Sequence, residues 1–145
     1  LSELHAELAG EMSGHVFFKH RYFGFDDALH ASARLVEILS NTQEKTSELL
    51  AGIPKTFSTP ELRIDCPEEI KFRVAERAQS LFPEYKTNPL DGVRITFPNG
   101  WGLVRASNTQ PALVMRFEAE TAEQLQQYRS LVEERIENLK RSLKS

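Results

Sequence analysis

Asn99-Gly100 constrains this chain more than any other pair of residues. Asparagine followed by glycine is a strong signal for a two-residue β-hairpin, because both tolerate the positive φ that a tight type I′ turn demands. Before the pair, Val93, Ile95 and Phe97 alternate with Arg94 and Thr96; after it, Trp101, Leu103 and Val104 open a returning strand. A third run follows, in which Leu113, Met115 and Phe117 alternate with Val114, Arg116 and Glu118. Such period-two patterns mark strands with one buried face, and consecutive hairpins imply antiparallel pairing.

Helices flank these strands. Upstream, Leu62, Ile64 and Cys66 alternate with Arg63 and Asp65 as a further strand. Pro67 suits a first helical position, Glu68 and Glu69 complement the helix dipole, and Ile70, Val74, Ala78 and Leu81 line one face until Pro83. Downstream, Thr121 with Gln124 predicts a capping box, followed by a stripe of Leu125, Tyr128, Val132, Ile136, Leu139 and Leu143. The order β-α-β-β-β-α places the chain in the α+β class, with a four-stranded antiparallel sheet and both helices on one face. The pattern leaves the strand order open.

The first third is less regular. Leu1, Leu4 and Leu8 have helical spacing, and Ala9-Gly10 would end that helix. An uncapped apolar start without methionine points to a truncated or processed chain. Asp26 is placed to cap a second helix and Asp27 to favour its dipole, with Leu29, Ala33, Val36 and Leu39 as its apolar stripe. A short helix is expected from Glu44 to Leu50. Gly52-Ile53-Pro54 and Ser58-Thr59-Pro60 break all periodicity, which predicts one domain over 1–52, a linker over 53–60 and a second domain over 61–145.

Charge narrows the function classes. The net charge of −3 comes with no basic tract, which argues against a nucleic-acid partner. No apolar run reaches the ~20 residues of a membrane span, so neither a membrane partner nor a secretory route is expected. The single cysteine, Cys66, cannot form an internal disulfide and sits in a strand pattern as a small hydrophobe. A cytoplasmic protein fits these features.

Two polar stretches carry chemistry. Arg105-Ala106-Ser107-Asn108-Thr109-Gln110-Pro111 offers a guanidinium fork, two hydroxyls and a carboxamide between two strands. That inventory suits a phosphate dianion: Arg105 binds two oxygens while Ser107, Asn108 and Thr109 donate to the rest. An ordinary polar connection beside an arginine has the same composition. Gly10-Glu11-Met12-Ser13-Gly14-His15 places a carboxylate, a hydroxyl and an imidazole between two glycines. Glu11 and Ser13 suit vicinal sugar hydroxyls, and His15 suits a substrate hydroxyl or a proton. A structural histidine bonded to nearby backbone is the plainer reading of His15.

Together, and in this order, the two stretches resemble the α-D-phosphohexomutase superfamily, within it the bacterial phosphomannomutase/phosphoglucomutase branch. Phe23-Gly24-Phe25-Asp26-Asp27 and Asp91-Gly92-Val93-Arg94 look similar too, and the resemblance spans essentially the whole chain. It implies the end of the family's sugar-binding third domain, an incomplete α/β domain, followed by its whole phosphate-binding fourth domain. Implied with it are phosphohexose substrates, exchanged between 1- and 6-phosphates through a phosphoserine and a bisphosphorylated sugar. By the match, Glu11, Ser13 and His15 would hold the sugar hydroxyls, and Arg105, Ser107, Asn108 and Thr109 the non-reacting phosphate. Met12 and Asn108 with Pro111 resemble the mannose/glucose branch. Magnesium and hexose 1,6-bisphosphate would serve the full-length enzyme. The family's phosphoserine loop is absent, and Asp91-Gly92 is followed by Val93 where its metal loop continues with aspartate. The resemblance therefore implies that the N-terminal domains supply catalysis and metal, and that these 145 residues alone turn over nothing. Detectable turnover by the purified chain would refute this. Two other readings remain: a free-standing sugar-phosphate-binding module, and a nucleic-acid or protein-binding domain using the open sheet face.

Overall fold

A computed structural model of the chain describes residues 6–11 and 13–144, with the last of these described in backbone only. The chain falls into two compact units, Leu1–Ile53 and Pro54–Ser145.

The first unit is a hairpin and a helix. Strand β1 (Leu8–Gly10) pairs antiparallel with β2 (Val16–Phe18), and Gly10 stands opposite Val16. Leu8 thus lies in a strand where helical spacing predicted a helix; Leu1 and Leu4 lie outside the described residues. Leu8 and Gly10 pair with partners six to ten residues away, beyond the reach of a local periodicity reading. Helix α1 (Ala28–Ser40) follows, and its cap is Asp27 in place of Asp26: the Asp27 Oδ1 accepts from the His30 amide at 2.9 Å. The expected stripe is not the packed face, since Leu29 is 85% and Val36 64% exposed. His30 and Arg34 face the hairpin instead: His30 stacks on Tyr22 at 3.7 Å and meets the Phe18 edge, while the Arg34 guanidinium lies over Phe18. Among the described residues of this unit none is buried. Residues 46–50 form turns, with the Glu48 amide bonded to Lys45 O and the Ala51 amide to Glu48 O. The helix expected there is absent, because a short helix with no covered face lacks the packing that sustains it.

The Asp27 cap responds to acid. A hydrogen bond from the Tyr22 hydroxyl, then the His30 amide, hold its carboxyl below the ordinary value. A depressed folded pKa contributes stability above the unfolded pKa, and that contribution is lost as pH falls through the folded value. The amide signals of α1 should therefore weaken below about pH 4. Asp27→Asn, which caps without titrating, should flatten that acid limb; an unchanged limb would remove the cap from the account.

The second unit is a six-stranded antiparallel sheet with two helices on one face. Its elements are β3 (Phe57–Ser58), β4 (Leu62–Asp65), α2 (Glu68–Ala78), β5 (Lys86–Asn88), β6 (Val93–Phe97), β7 (Gly100–Ala106), β8 (Ala112–Ala119) and α3 (Ala122–Lys144). In space β3 and β4 both pair with β8, which is followed by β7, β6 and β5. The expected four strands form β4-β8-β7-β6, and β3 and β5 extend them. Residues 57–59, read above as linker, are bonded into the sheet. The Thr59 amide donates to Phe117 O at 3.0 Å, and the Phe117 amide donates to the Thr59 hydroxyl at 3.1 Å.

The core lies between sheet and helices. Val93, Ile95, Phe97, Val104, Leu113, Met115 and Phe117 meet Ile70, Val74 and Ala78 of α2 and Val132 and Ile136 of α3. Each fully buried large aliphatic or aromatic chain is worth about 1.5–3 kcal/mol, which makes this the stabilising body of the protein. The turn between β6 and β7 is shifted by one residue from expectation. Phe97 pairs with Gly100, so the two loop residues are Pro98 and Asn99. Asn99 does not take positive φ. Proline presets the negative φ of an ordinary turn, and this overrides the asparagine-glycine preference. Gly100 serves the sheet instead, because a Cβ there would meet Glu118 O at 2.2 Å. At α3 only half of the capping box forms: the Thr121 hydroxyl accepts from the Gln124 amide at 3.2 Å, while Gln124 Oε1 is buried without a partner.

Candidate functional site

The loop between β7 and β8 is built from the sheet outward. Alternation along β7 sends Val104 to the core and Arg105 to the face away from the helices. Arg105 stands opposite Val114, and its own backbone closes on Gly92 of the turn before β6. Among the described residues its guanidinium has no hydrogen bond or ion pair. Ser107 is buried, and its amide donates to Ala112 O at 2.9 Å, which closes the loop. The Ser107 Oγ accepts from the Gln110 amide at 3.2 Å and, more weakly, from Thr109 at 3.4 Å. Its lone pairs thus serve the turn, while its O–H remains a donor. Asn108 and Thr109 are exposed at the tip. Asn108 also borders a groove of about 310 Å³ lined by Phe72, Ala75, Glu76, Asp91 and Gly92.

The far side of this loop is tied to residues to which the sequence reading gave no part in the site. Arg63 on β4 donates to the Gln110 side-chain oxygen, and the Cys66 amide donates to Pro111 O at 2.9 Å. Lys71 on α2 donates to Gln110 O at 3.0 Å. One signal was available: Lys71 precedes Val74, Ala75 and Ala78 by three, four and seven residues, so it occupies a stripe position of its helix.

Glu11, Ser13 and His15 come together in the β1–β2 loop. The Glu11 amide donates to His15 O at 2.9 Å, and Gly14 turns the chain at φ 92°. The Ser13 Oγ lies 3.0 Å from Glu11 Oε2 and 2.7 Å from His15 Nδ1. The other ring nitrogen, Nε2, faces Asp26 Oδ2 at 3.7 Å. Asp26, displaced from the expected cap, is therefore an acidic neighbour of His15, and only the fold reveals it. Met12 lies outside the described residues.

Magnesium does not fit the described residues. Among the described residues no three of His, Cys, Asp or Glu group closely enough to hold a metal ion, and Val93 is buried in β6. No described helix is long and apolar enough to cross a membrane.

Residues 1–57 match the family model for the phosphoglucomutase/phosphomannomutase alpha/beta/alpha domain III, and residues 69–135 match the model for the C-terminal domain. The chain belongs to the phosphoglucomutase/phosphomannomutase family. It is 47% identical to the phosphomannomutase/phosphoglucomutase of Pseudomonas aeruginosa over 145 residues, 99% of this chain and 31% of that protein. Its identity to a Neisseria gonorrhoeae phosphoglucomutase is 53% over 120 residues, 80% of this chain and 26% of that protein. A solved phosphoglucomutase/phosphomannomutase family protein from Burkholderia thailandensis resembles it with a TM-score of 0.78 at 39% identity, covering 95% of this chain and 29% of that one. The chain thus spans about three tenths of the length of these relatives.

Proposed function

We propose that this chain supplies the sugar- and phosphate-binding part of a phosphohexomutase that interconverts hexose 1- and 6-phosphates. The observation that carries the reading is the Arg105 guanidinium, without a hydrogen bond or ion pair among the described residues and set at the start of a loop whose exposed tip adds Asn108 and Thr109. A phosphate dianion would take two oxygens on the Arg105 fork and the rest on Ser107 O–H, Asn108 and Thr109. In the other loop, Glu11 would accept from vicinal sugar hydroxyls, and Ser13, between Glu11 and His15, would donate or accept. A hexose that must react at either end needs one constant anchor for its remote phosphate and hydroxyl contacts that serve both orientations. Gripping that phosphate spends binding energy on orienting the reacting one.

Phosphoryl transfer through a phosphoserine and a bisphosphorylated sugar belongs in this reading to the domains that precede these two in the family. Magnesium would supply charge stabilisation there. A ¹⁵N-resolved NMR titration of the chain with glucose 1-phosphate and mannose 1-phosphate tests the assignment. Shifts should gather at Arg105 to Thr109. Saturable shifts elsewhere, with those residues silent, would overturn it.

A further inference from the structure

Building on the reading that the 105–109 loop holds a phosphate, we propose that Lys71 is the positioning residue of that loop. Lys71 is fully buried, at 0% exposure, on the packed face of α2. Its ammonium meets two oxygens: Glu68 Oε1 at 2.8 Å and the Gln110 carbonyl at 3.0 Å. Glu68 is 60% exposed and reaches inward from the surface. Moving an ammonium from water into a helix–sheet seam is unfavourable, and an aliphatic residue would fill a stripe position without that penalty. The fold of α2 therefore does not explain the lysine, whereas the loop does.

The Gln110 carbonyl accepts from Lys71 on one side and from the Ala112 amide, at 2.8 Å, on the other. Two donors fix the direction of the carbonyl, and with it the peptide plane that leads into Pro111. The Gln110 amide in turn donates to Ser107 Oγ. Orientation at Gln110 thus passes to the Ser107 hydroxyl, the one buried side chain of the anion-binding set. Arg63 of β4 holds the Gln110 side chain and the Cys66 amide, just past the end of β4, holds Pro111 O, so the loop rests on the β4–α2 corner as well as on its own two strands.

The test uses the whole chain and three substitutions. Lys71→Met should keep the β6–β8 amide pattern, speed exchange of the Ser107 and Gln110 amides about tenfold, and weaken glucose 1-phosphate binding by about tenfold. Lys71→Arg keeps a charge and a donor and should restore most of both. If Lys71→Met does not fold, Lys71→Gln, whose amide can approach Glu68 but falls short of the Gln110 carbonyl, should show the same two losses. A folded Lys71→Met with exchange and affinity equal to the parent overturns the proposal. So does faster exchange with undiminished affinity, because the lysine would then be merely structural. If the parent chain shows no shifts at 105–109 with glucose 1-phosphate, the sugar-phosphate reading falls. Loop exchange then still judges Lys71, and retained protection in Lys71→Met would sink it.

Discussion

Replacing Gly92 by alanine should destabilise the second unit by about 3 kcal/mol, the combined cost of left-handed backbone strain and of forcing a methyl group into packed atoms. Gly92 has φ +74°, and a Cβ there would lie 2.2 Å from Val104 O, 2.7 Å from Arg105 Cα and 2.8 Å from Arg105 Cβ. The first two of these are backbone atoms of a paired interior strand, which cannot move aside as a flexible side chain would. Val104 is fully buried and paired with Val93, so relief requires opening the β6–β7 ladder. The same shift moves Arg105. Gly92→Ala is therefore expected to lower the denaturation midpoint and to weaken sugar-phosphate binding in whatever remains folded. A variant within about 0.5 kcal/mol of the parent, the range of ordinary surface substitutions, would show that β6 and β7 separate more easily than their pairing implies.

Arg105→Ala should do the opposite: leave the fold intact and abolish most of the affinity. Its guanidinium has no partner among the described residues, so its loss breaks no hydrogen bond or ion pair there. Charge-assisted hydrogen bonds to a phosphate are worth about 2–3 kcal/mol, so the dissociation constant for glucose 1-phosphate should rise roughly 30- to 150-fold. Arg105→Lys, which keeps the charge but loses the planar fork, should fall between. The readout is the pair of measurements: unchanged thermal unfolding with lost binding. Affinity within threefold of the parent would separate the loop from the ligand altogether. Gly92→Ala and Arg105→Ala thus distinguish damage to the support from removal of the donor.

Where local rules governed, the sequence was a good guide to the second unit. Val93, Ile95, Phe97, Leu113, Met115 and Phe117 alternate because one sheet face is buried, and the helical stripes of α2 and α3 follow from the same core. The reading failed where distant partners decide. Leu8 joins a strand because Phe18 stands opposite it. Phe57 and Ser58 enter the sheet because β8 extends past β4 to meet them. The cap moved from Asp26 to Asp27 because Tyr22 also bonds Asp27, and the displaced Asp26 came to face His15. For the site, the residue types of both loops were legible, yet their supports were not. Arg63 and Gln110 look like surface polar residues until β4 and the loop are brought to one corner, and the stripe position of Lys71 marks it as inward-facing without naming the loop carbonyl it meets.

The β7–β8 hairpin occupies the middle of its sheet, flanked by paired strands on both sides. A turn suspended between two interior strands has less freedom to lose on ordering, so the dianion proposed for it would meet a mould and not a rope. Selectivity at such a place follows from shape set in advance, and it would survive modest changes at the exposed tip better than changes in the beams beneath.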